Sequence, residues 1–414
     1  MTDIKLSICI PTYNRAAYLR TALECLAGAD FSFPYEIVIS DNASPDDTEA
    51  VVRTFIDRGL PINYLRMPEN AGAAINLTNA IQHAVGQYMI YQGDDDLLIP
   101  EGIEAAVAHL DANPDVTVCQ APWYLYNEVE DVDVKTFYHL DADRTFERQD
   151  FLGVFEFLFE GHVFPEIAIY RMSTARVAIV PRYFCFWPFS YLAHFLDEGA
   201  VTFLKQPFYR SVTVSKIAAS RDQLGFEDVM TSWDMYRGGL EYFLHIGAQR
   251  GKLSTTEEAR AVYDRMCKIF TVIRMSVAIR FWVARNDFIR AYELYTRMAI
   301  AGHGDYPGVA ELRPHFPVMV GLQTLAYKVN AVPEIDYLIL SDMADADHIG
   351  GLLRDVGLRA EIAIVSDGAS HDPALADRTA ILVTSEARQA EFIDRGYRPG
   401  FIFHEGELTR FVLS

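Results

Sequence analysis

Asp94, Asp95 and Asp96 are three consecutive carboxylates that follow the apolar run Tyr88-Met89-Ile90-Tyr91 and precede Leu97-Leu98-Ile99-Pro100. Carboxylates gathered at the end of a strand repel one another unless a cation sits among them. Hard oxygen ligands suit Mg²⁺ or Mn²⁺, which can carry a diphosphate as a further ligand. The same residues also suit a helix start, where acid meets the positive end of the dipole, and a helix is predicted over Glu101 to Leu110. On this segment alone both readings stand. Three more short segments carry groups able to bind or react: Pro11-Thr12-Tyr13-Asn14-Arg15, Asp41-Asn42-Ala43-Ser44 and Asn70-Ala71-Gly72. Singly, each is ordinary turn chemistry.

The elements around these segments change their weight. Leu6 to Ile10 is a short apolar strand stopped by Pro11, and Asn14 is placed to cap a helix from Arg15 to Ala27. Glu36 to Ser40 is a second strand; Ser44-Pro45-Asp46-Asp47 then supplies a cap, a first-turn proline and acidic residues for the helix Thr48 to Arg58. Ile62 to Arg66 and Tyr88 to Tyr91 are further strands, with the amphipathic helix Ala73 to Val85 between them. Strands alternating with helices imply a mostly parallel α/β sheet. Ligands in such sheets bind beyond the carboxyl ends of the strands, which is where all four segments fall, in order.

Taken together, the four segments resemble a family 2 glycosyltransferase of GT-A fold, over roughly residues 5 to 215 and most strongly over the first 105. The resemblance implies an inverting, metal-dependent enzyme using Mn²⁺ or Mg²⁺ and a nucleotide-sugar donor, a UDP-sugar first among them. It implies that Pro11, Thr12, Tyr13 and Arg15 open the nucleotide pocket and that Asp41 accepts a hydrogen bond from the base, under the aromatic face of Tyr13. Asn70, Gly72 and Asn76 resemble a second nucleotide-binding stretch, with Gly72 allowing close backbone approach. Counting back from Pro100, Asp95 falls on the metal-ligand position and Asp94 on the one facing the ribose, while Asp96 is a cap for the next helix. The chain departs from the family in three places: Leu77 stands where an Arg is common, Gly93 where the acidic motif usually begins, and Trp187-Pro188 where relatives carry Glu-Asp, whose Asp is the general base.

An inverting transfer needs a base within hydrogen-bond reach of the acceptor hydroxyl. Trp187-Pro188 cannot take a proton, and Asp197 and Glu198 lie about 13 Å further along the predicted helix Phe189 to Glu198. Glu166 precedes the strand Ile167 to Tyr170 in the apolar setting Val163-Phe164-Pro165, which favours a raised carboxyl pKa. Glu166 is therefore the preferred base and His194 the second candidate. Pairing of Glu166 with Arg171 or Arg176 as a strand-edge carboxylate is the structural alternative. The ring-rich stretch Tyr183 to Tyr191 suits core packing or stacking of an acceptor. A catalytically weak nucleotide-sugar-binding scaffold on the same fold remains the second functional reading.

The remainder is organised differently. Asp111 to Arg148 is loosely spaced and rich in Tyr, Asp and Glu, suiting a variable acceptor-side region. Ser211 to Gly225 is polar and suits a lid. Phe226 to Ala301 is helical in period, Gly302 to Pro317 looks like a linker, and Asp336 to Phe403 alternates strands and helices again, without a glycine fingerprint and with Ser366-Asp367-Gly368 too weak to name a ligand. The expected domains are 1–215, a helical subdomain and linker at 216–330, and a small Rossmann-like α/β unit at 331–414 that could serve an acceptor, an oligomer contact or bracing. With 414 residues and 50% hydrophobic content the chain can bury a substantial core. A net charge of -21 opposes binding to nucleic acid or to anionic lipid. Five cysteines without metal-ligand spacing argue for reduced thiols and a cytoplasmic setting, peripheral to the inner membrane at most. No apolar run reaches bilayer-spanning length. The resemblance adds an acceptor of glycan or lipid-linked glycan type from bacterial cell-surface synthesis.

Overall fold

A computed structural model describes residues 4–179, 184–218, 233–365 and 373–413. Tyr183, the second half of the lid segment (219–225) and Ser366-Asp367-Gly368 lie outside the described residues. The chain divides into two compact units, residues 1–271 and 272–414, with the division inside one long helix.

The first unit opens with β1 (Leu6–Thr12), α1 (Ala16–Ala27), β2 (Tyr35–Asp41), α2 (Thr48–Asp57), β3 (Ile62–Arg66), α3 (Ala73–His83) and β4 (Tyr88–Tyr91). It continues through β5 (Leu97–Leu98), α4 (Pro100–Ala112), β6 (Val116–Gln120), β7 (Tyr124–Asn127), β8 (Val132–Thr136), β9 (Arg144–Phe146) and α5 (Phe151–Glu160). Then come β10 (Ala168–Arg171), α6 (Met172–Ala175), α7 (Trp187–Glu198), β11 (Ala200–Phe203), β12 (Tyr209–Val214), α8 (Trp233–Gln249) and α9 (Glu257–Ala284). One sheet runs in the order β3-β2-β1-β4-β10-β6-β11-β9 and a smaller one β5-β12-β7-β8. β1, β2, β3 and β4 are mutually parallel, as the alternation of elements requires. Leu6, Ile8, Cys9 and Ile10 are all fully buried. Since successive side chains point to opposite faces, β1 is covered on both.

β1 runs two residues past the predicted end at Ile10, through Pro11 to Thr12. Its register with β2 continues to Thr12↔Asp41, whereas its pairing with β4 ends at Cys9, so the missing proline N–H falls where one flank of the strand is open. Asn14 does not cap α1: it sits at φ 55° and its backbone N–H donates to Ser44 Oγ at 2.9 Å, leaving Arg15 at the cap. The loosely spaced segment after Asp111 is not a loop. It holds β6, buried throughout, in the middle of the large sheet. Its polar Thr117 belongs there because its hydroxyl bonds Phe195 O at 2.8 Å. The segment expected to begin a lid at Ser211 is the second half of β12 up to Val214.

β10 is the turning point of the large sheet. It is antiparallel to β4, pairing Ile169 with Ile90 and Tyr170 with Met89, so its start lies level with the end of β4. α7 packs against it through the Tyr170–Tyr191 and Tyr170–Phe195 rings, α8 packs on α7, and the Phe186 N–H donates to Met235 O at 2.7 Å. The approach is close at Gly239, where a Cβ would fall 2.7 Å from Phe186 O.

The second unit contains α10 (Phe288–Ile300), α11 (Phe316–Asn330), β13 (Tyr337–Leu340), α12 (Ala346–Asp355), β14 (Ala363–Val365), β15 (Thr379–Val383), α13 (Glu386–Asp394), β16 (Ile402–His404) and α14 (Glu405–Thr409). Its four strands form a parallel sheet in the order β14-β13-β15-β16 around Ile339, Ile381, Val383, Phe392 and Ile402. The expected linker is structured: Val309 is fully buried, and Pro317 occupies the first turn of α11. Among the described residues no helix is long and apolar enough to cross a membrane. All five cysteines are free thiols.

The end of α7 is tied down by Asp197, which accepts from Arg250 Nε at 2.8 Å and from Gln149 Nε2 at 2.9 Å. Burial would raise this carboxyl, but the bonds from Arg250 and Gln149 and the charges of Arg250 and Arg148 hold it below its ordinary value. A depressed pKa gives stability that is complete above the unfolded value of about 3.9 and is lost as pH falls through the lower folded value. Asp197→Asn should therefore lower the urea unfolding free energy by about 1–3 kcal/mol at pH 7. At pH 2–3 the gap between variant and parent should narrow; a constant difference would show that the charge is not the source.

Candidate active site

The carboxyl ends of β1 and β4 and the turn before α3 open on one cleft of about 630 Å³. Pro11, Thr12, Tyr13, Arg15, Asn70, Gly72, Asn76, Asp94 and Asp95 all line it, and so does Glu166. Asp41 and His194 do not.

The three acids at the end of β4 have separate partners. Asp94 is buried and accepts from Thr12 Oγ1 at 2.7 Å, so β1 and β4 are joined through their last polar residues. Burial and then the neighbouring Asp95 push its carboxyl well above the usual carboxylate range, against the opposing pull of Thr12 and Arg15. Asp95 is ion-paired with the Arg15 guanidinium, whose Nη1 is also 3.6 Å from Asp94 Oδ1. Asp96 does not cap α4. Its two oxygens accept from Val212 N at 2.9 Å and from Tyr209 OH at 2.8 Å, fastening β12 under the acidic turn. Tyr209 OH also accepts from Gly93 N at 3.0 Å. The glycine is explained by crowding, because a Cβ there would lie 3.1 Å from both Asp95 Oδ1 and Asp96 Oδ2.

The turn before α3 is held from β2. Asn70 Oδ1 accepts from Asn42 Nδ2 at 2.7 Å, and Asn42 Oδ1 accepts from Ala71 N at 2.9 Å. Gly72 stands at φ 88°, a conformation other residues rarely take. Asn76 is buried beneath, accepting from Ser40 Oγ at 2.6 Å and donating to Thr12 O at 3.2 Å. Asn76 thus shapes the floor of the cleft through hydrogen bonds to its neighbours.

Two of the expected site residues do not line the cleft. Asp41 is fully buried beside the cleft, and its carboxylate is engaged by Ser44 N at 2.7 Å, Tyr64 OH at 2.6 Å and Arg66 Nη1 at 3.1 Å. The adjoining Asn42 is the residue that reaches the cleft. His194 faces α8, with Nε2 2.9 Å from Tyr242 OH, and burial lowers its pKa. It stands about two turns, roughly 10 Å, along α7 from Trp187, which does line the cleft.

Glu166 sits two residues before β10. Because β10 is antiparallel to β4, the register carries it to the level of the acidic turn. Arg171 and Arg176, its suggested partners, turn instead to backbone carbonyls, Arg171 to Val116 O and Leu110 O and Arg176 to Ala84 O. Beside it the cleft wall is aromatic: Tyr91, Trp123, Phe186 and Trp187. Trp123 stacks on Phe137 with centroids 4.5 Å apart. Trp123 lies in the segment read as an acceptor-side region and Phe186 in the ring-rich run read as suiting core packing or acceptor stacking, but nothing in the sequence singled out either ring.

The sequence pattern described as glycosyl transferase family 2 matches residues 7–177, which contain the acidic turn, the two nucleotide-side turns and Glu166. This segment belongs to that family. An abequosyltransferase of Salmonella typhimurium is 35% identical over 116 residues, covering 28% of this chain and 35% of the relative. A GalNAc(5)-diNAcBac-PP-undecaprenol beta-1,3-glucosyltransferase of Campylobacter jejuni is 34% identical over 96 residues, covering 23% and 31%. The chain therefore spans about a third of the length of these curated relatives. A crystal structure of Staphylococcus aureus TarS 1-349 in complex with UDP-GlcNAc superposes with a TM-score of 0.49 at 19% identity, covering 75% of this chain and 92% of that one. Within the family 2 segment the partnering of the acids separates two kinds of role. Asp41→Ala and Asp96→Ala each orphan buried donors and should cost about 1–3 kcal/mol in urea denaturation. An Asp41→Ala protein as stable as the parent would return that residue to a ligand-facing role.

Proposed function

We propose that the protein transfers a sugar from a nucleoside-diphosphate donor, a UDP-sugar in the first instance, to a hydroxyl of a glycan or lipid-linked glycan, with inversion. One observation carries the reading: in a family 2 segment, the Asp94–Asp95 pair, the Thr12–Arg15 turn and Glu166 line a single cleft large enough for a sugar nucleotide. The Salmonella and Campylobacter relatives, both sugar transferases, support the activity class and a place in bacterial glycan synthesis.

The donor set fits a divalent cation. Two adjacent carboxylates, one of them buried, have a cationic group between them already, and hard oxygens suit Mg²⁺ or Mn²⁺. Among the described residues no group of three or more His, Cys, Asp or Glu side chains is arranged to hold a metal alone, so donor phosphates and water would complete the shell. Asp95, with Asp94 beside it, would hold the ion, whose charge stabilises the departing diphosphate. Asn42, Asn70 and the backbone around Gly72 line the nucleotide side, and Tyr13, 36% exposed, offers its ring to the base.

In the transfer the acceptor oxygen bonds to the anomeric carbon as the bond from that carbon to the diphosphate oxygen breaks, and the hydroxyl proton leaves to a base. Apart from the acidic turn, Glu166 is the one carboxylate among the described cleft residues. Trp187 occupies the place where relatives carry an acid, so its ring can stack on a sugar but not accept the proton. A second reading, nucleotide-sugar binding without turnover, is favoured by that same replacement.

The readings separate in two measurements. A thermal-shift panel of UDP, CDP, GDP and dTDP with and without Mn²⁺ should show metal-dependent stabilisation by at least one nucleotide, lost in Asp95→Ala. No response to any of them would end the donor assignment. Glu166→Gln should retain that stabilisation while turnover falls about 10²-fold or more. Near-parental turnover in the Gln variant would exclude Glu166 as base, and a parent that binds but neither transfers nor hydrolyses a donor would establish the second reading.

A further inference from the structure

The guanidinium of Arg15 lies against Asp94 and Asp95, the two carboxylates to which the divalent cation is assigned above. It is ion-paired with Asp95, lies 3.6 Å from Asp94, and its side chain is only 18% exposed. It is also held from the other side, over the ring of Tyr18 at 5.4 Å, one turn into α1. Arg15 is the residue at the start of α1, so its backbone is anchored by the helix.

Charge decides what can enter. In the resting site two carboxylates face one guanidinium. A divalent ion arriving alone would have to displace that guanidinium and would find two protein carboxylates for a shell of about six ligands. A metal ion arriving with a diphosphate brings two positive and two negative charges together. The phosphates then supply the missing oxygens and accept the released guanidinium, for which a forked donor is well suited. We infer that Arg15 is a resident counterion that keeps divalent metal out of the Asp94–Asp95 pair until the nucleoside diphosphate arrives. Metal and nucleotide are thereby made to bind cooperatively, and by linkage each raises the affinity of the other by the same factor. The inference deepens the donor reading above, since it rests on Asp94–Asp95 being the diphosphate end of the cleft.

The test needs neither acceptor nor turnover. Mn²⁺ binding to the full chain without nucleotide is followed by loss of the free-ion electron paramagnetic resonance signal, in the parent, in Arg15→Gln and in Arg15→Lys. Expected is weak binding in the parent, at least tenfold tighter binding in Arg15→Gln, and parent-like exclusion in Arg15→Lys, which keeps the charge. Adding Asp95→Ala to Arg15→Gln should abolish the gain. Equal Mn²⁺ affinity in parent and Arg15→Gln would overturn the proposal, as would a gain that survives Asp95→Ala, because the ion would then be bound elsewhere. Either result leaves the donor reading to the nucleotide panel, whose failure would appear as no nucleotide response in a parent whose Mn²⁺ behaviour is unchanged.

Discussion

Three carboxylates on consecutive residues at the end of a buried strand cannot all ionise without compensation, and the architecture around the cleft is the set of groups that compensates them. Thr12 from β1 bonds Asp94, Arg15 from the head of α1 neutralises Asp95, and Tyr209 and Val212 from β12 take both oxygens of Asp96. These partners come from three different elements. The acidic turn thus knits together the first strand, the first helix and the smaller sheet. All three acids line the cleft; both oxygens of Asp96 are taken by β12, while Asp94 and Asp95 share the Arg15 guanidinium.

The antiparallel strand β10 is what makes the site more than a nucleotide pocket. In the parallel part of the sheet β1, β2 and β4 present the residues at or just past their carboxyl ends to the cleft. β10 delivers its amino end instead, and so brings in Glu166 and Ile167 from a segment that a purely parallel topology would place on the far side. The same strand pairs with β6, whose following residues lead to Trp123, and α7 starts nearby with Trp187. One wall is therefore polar and acidic, the other aromatic. This division suits a reaction in which a charged diphosphate and a carbohydrate must be held in different surroundings.

The second unit shows the same building rule. Its parallel sheet is sheltered by short helices around Ile381, Phe392 and Ile402. No glycine-rich loop follows its first strand.

The parallel half of the fold was legible from residue order. Apolar runs of four to seven residues, separated by amphipathic stretches, place β1 to β4 and α1 to α3 within a residue or two, because burial on both faces leaves an unambiguous pattern. The turns at their ends, and so Thr12, Arg15, Asn70, Gly72, Asp94 and Asp95, follow from topology once the strands are parallel. Long-range pairing is different. β6 carries Thr and Gln in its five buried residues, and nothing local reveals that Thr117 will find carbonyl partners on α7 and β11. Asp41 looks like a ligand residue until Tyr64 and Arg66 arrive from β3 to use its oxygens, and His194 looks like a base until the helix turns it toward Tyr242. Residue order specified which side chains stand at strand ends, since that depends on local periodicity. Which of those carboxylates face solvent and which are consumed by the fold was set by contacts between residues far apart in sequence, for a buried charge takes whichever partner the packing brings within reach.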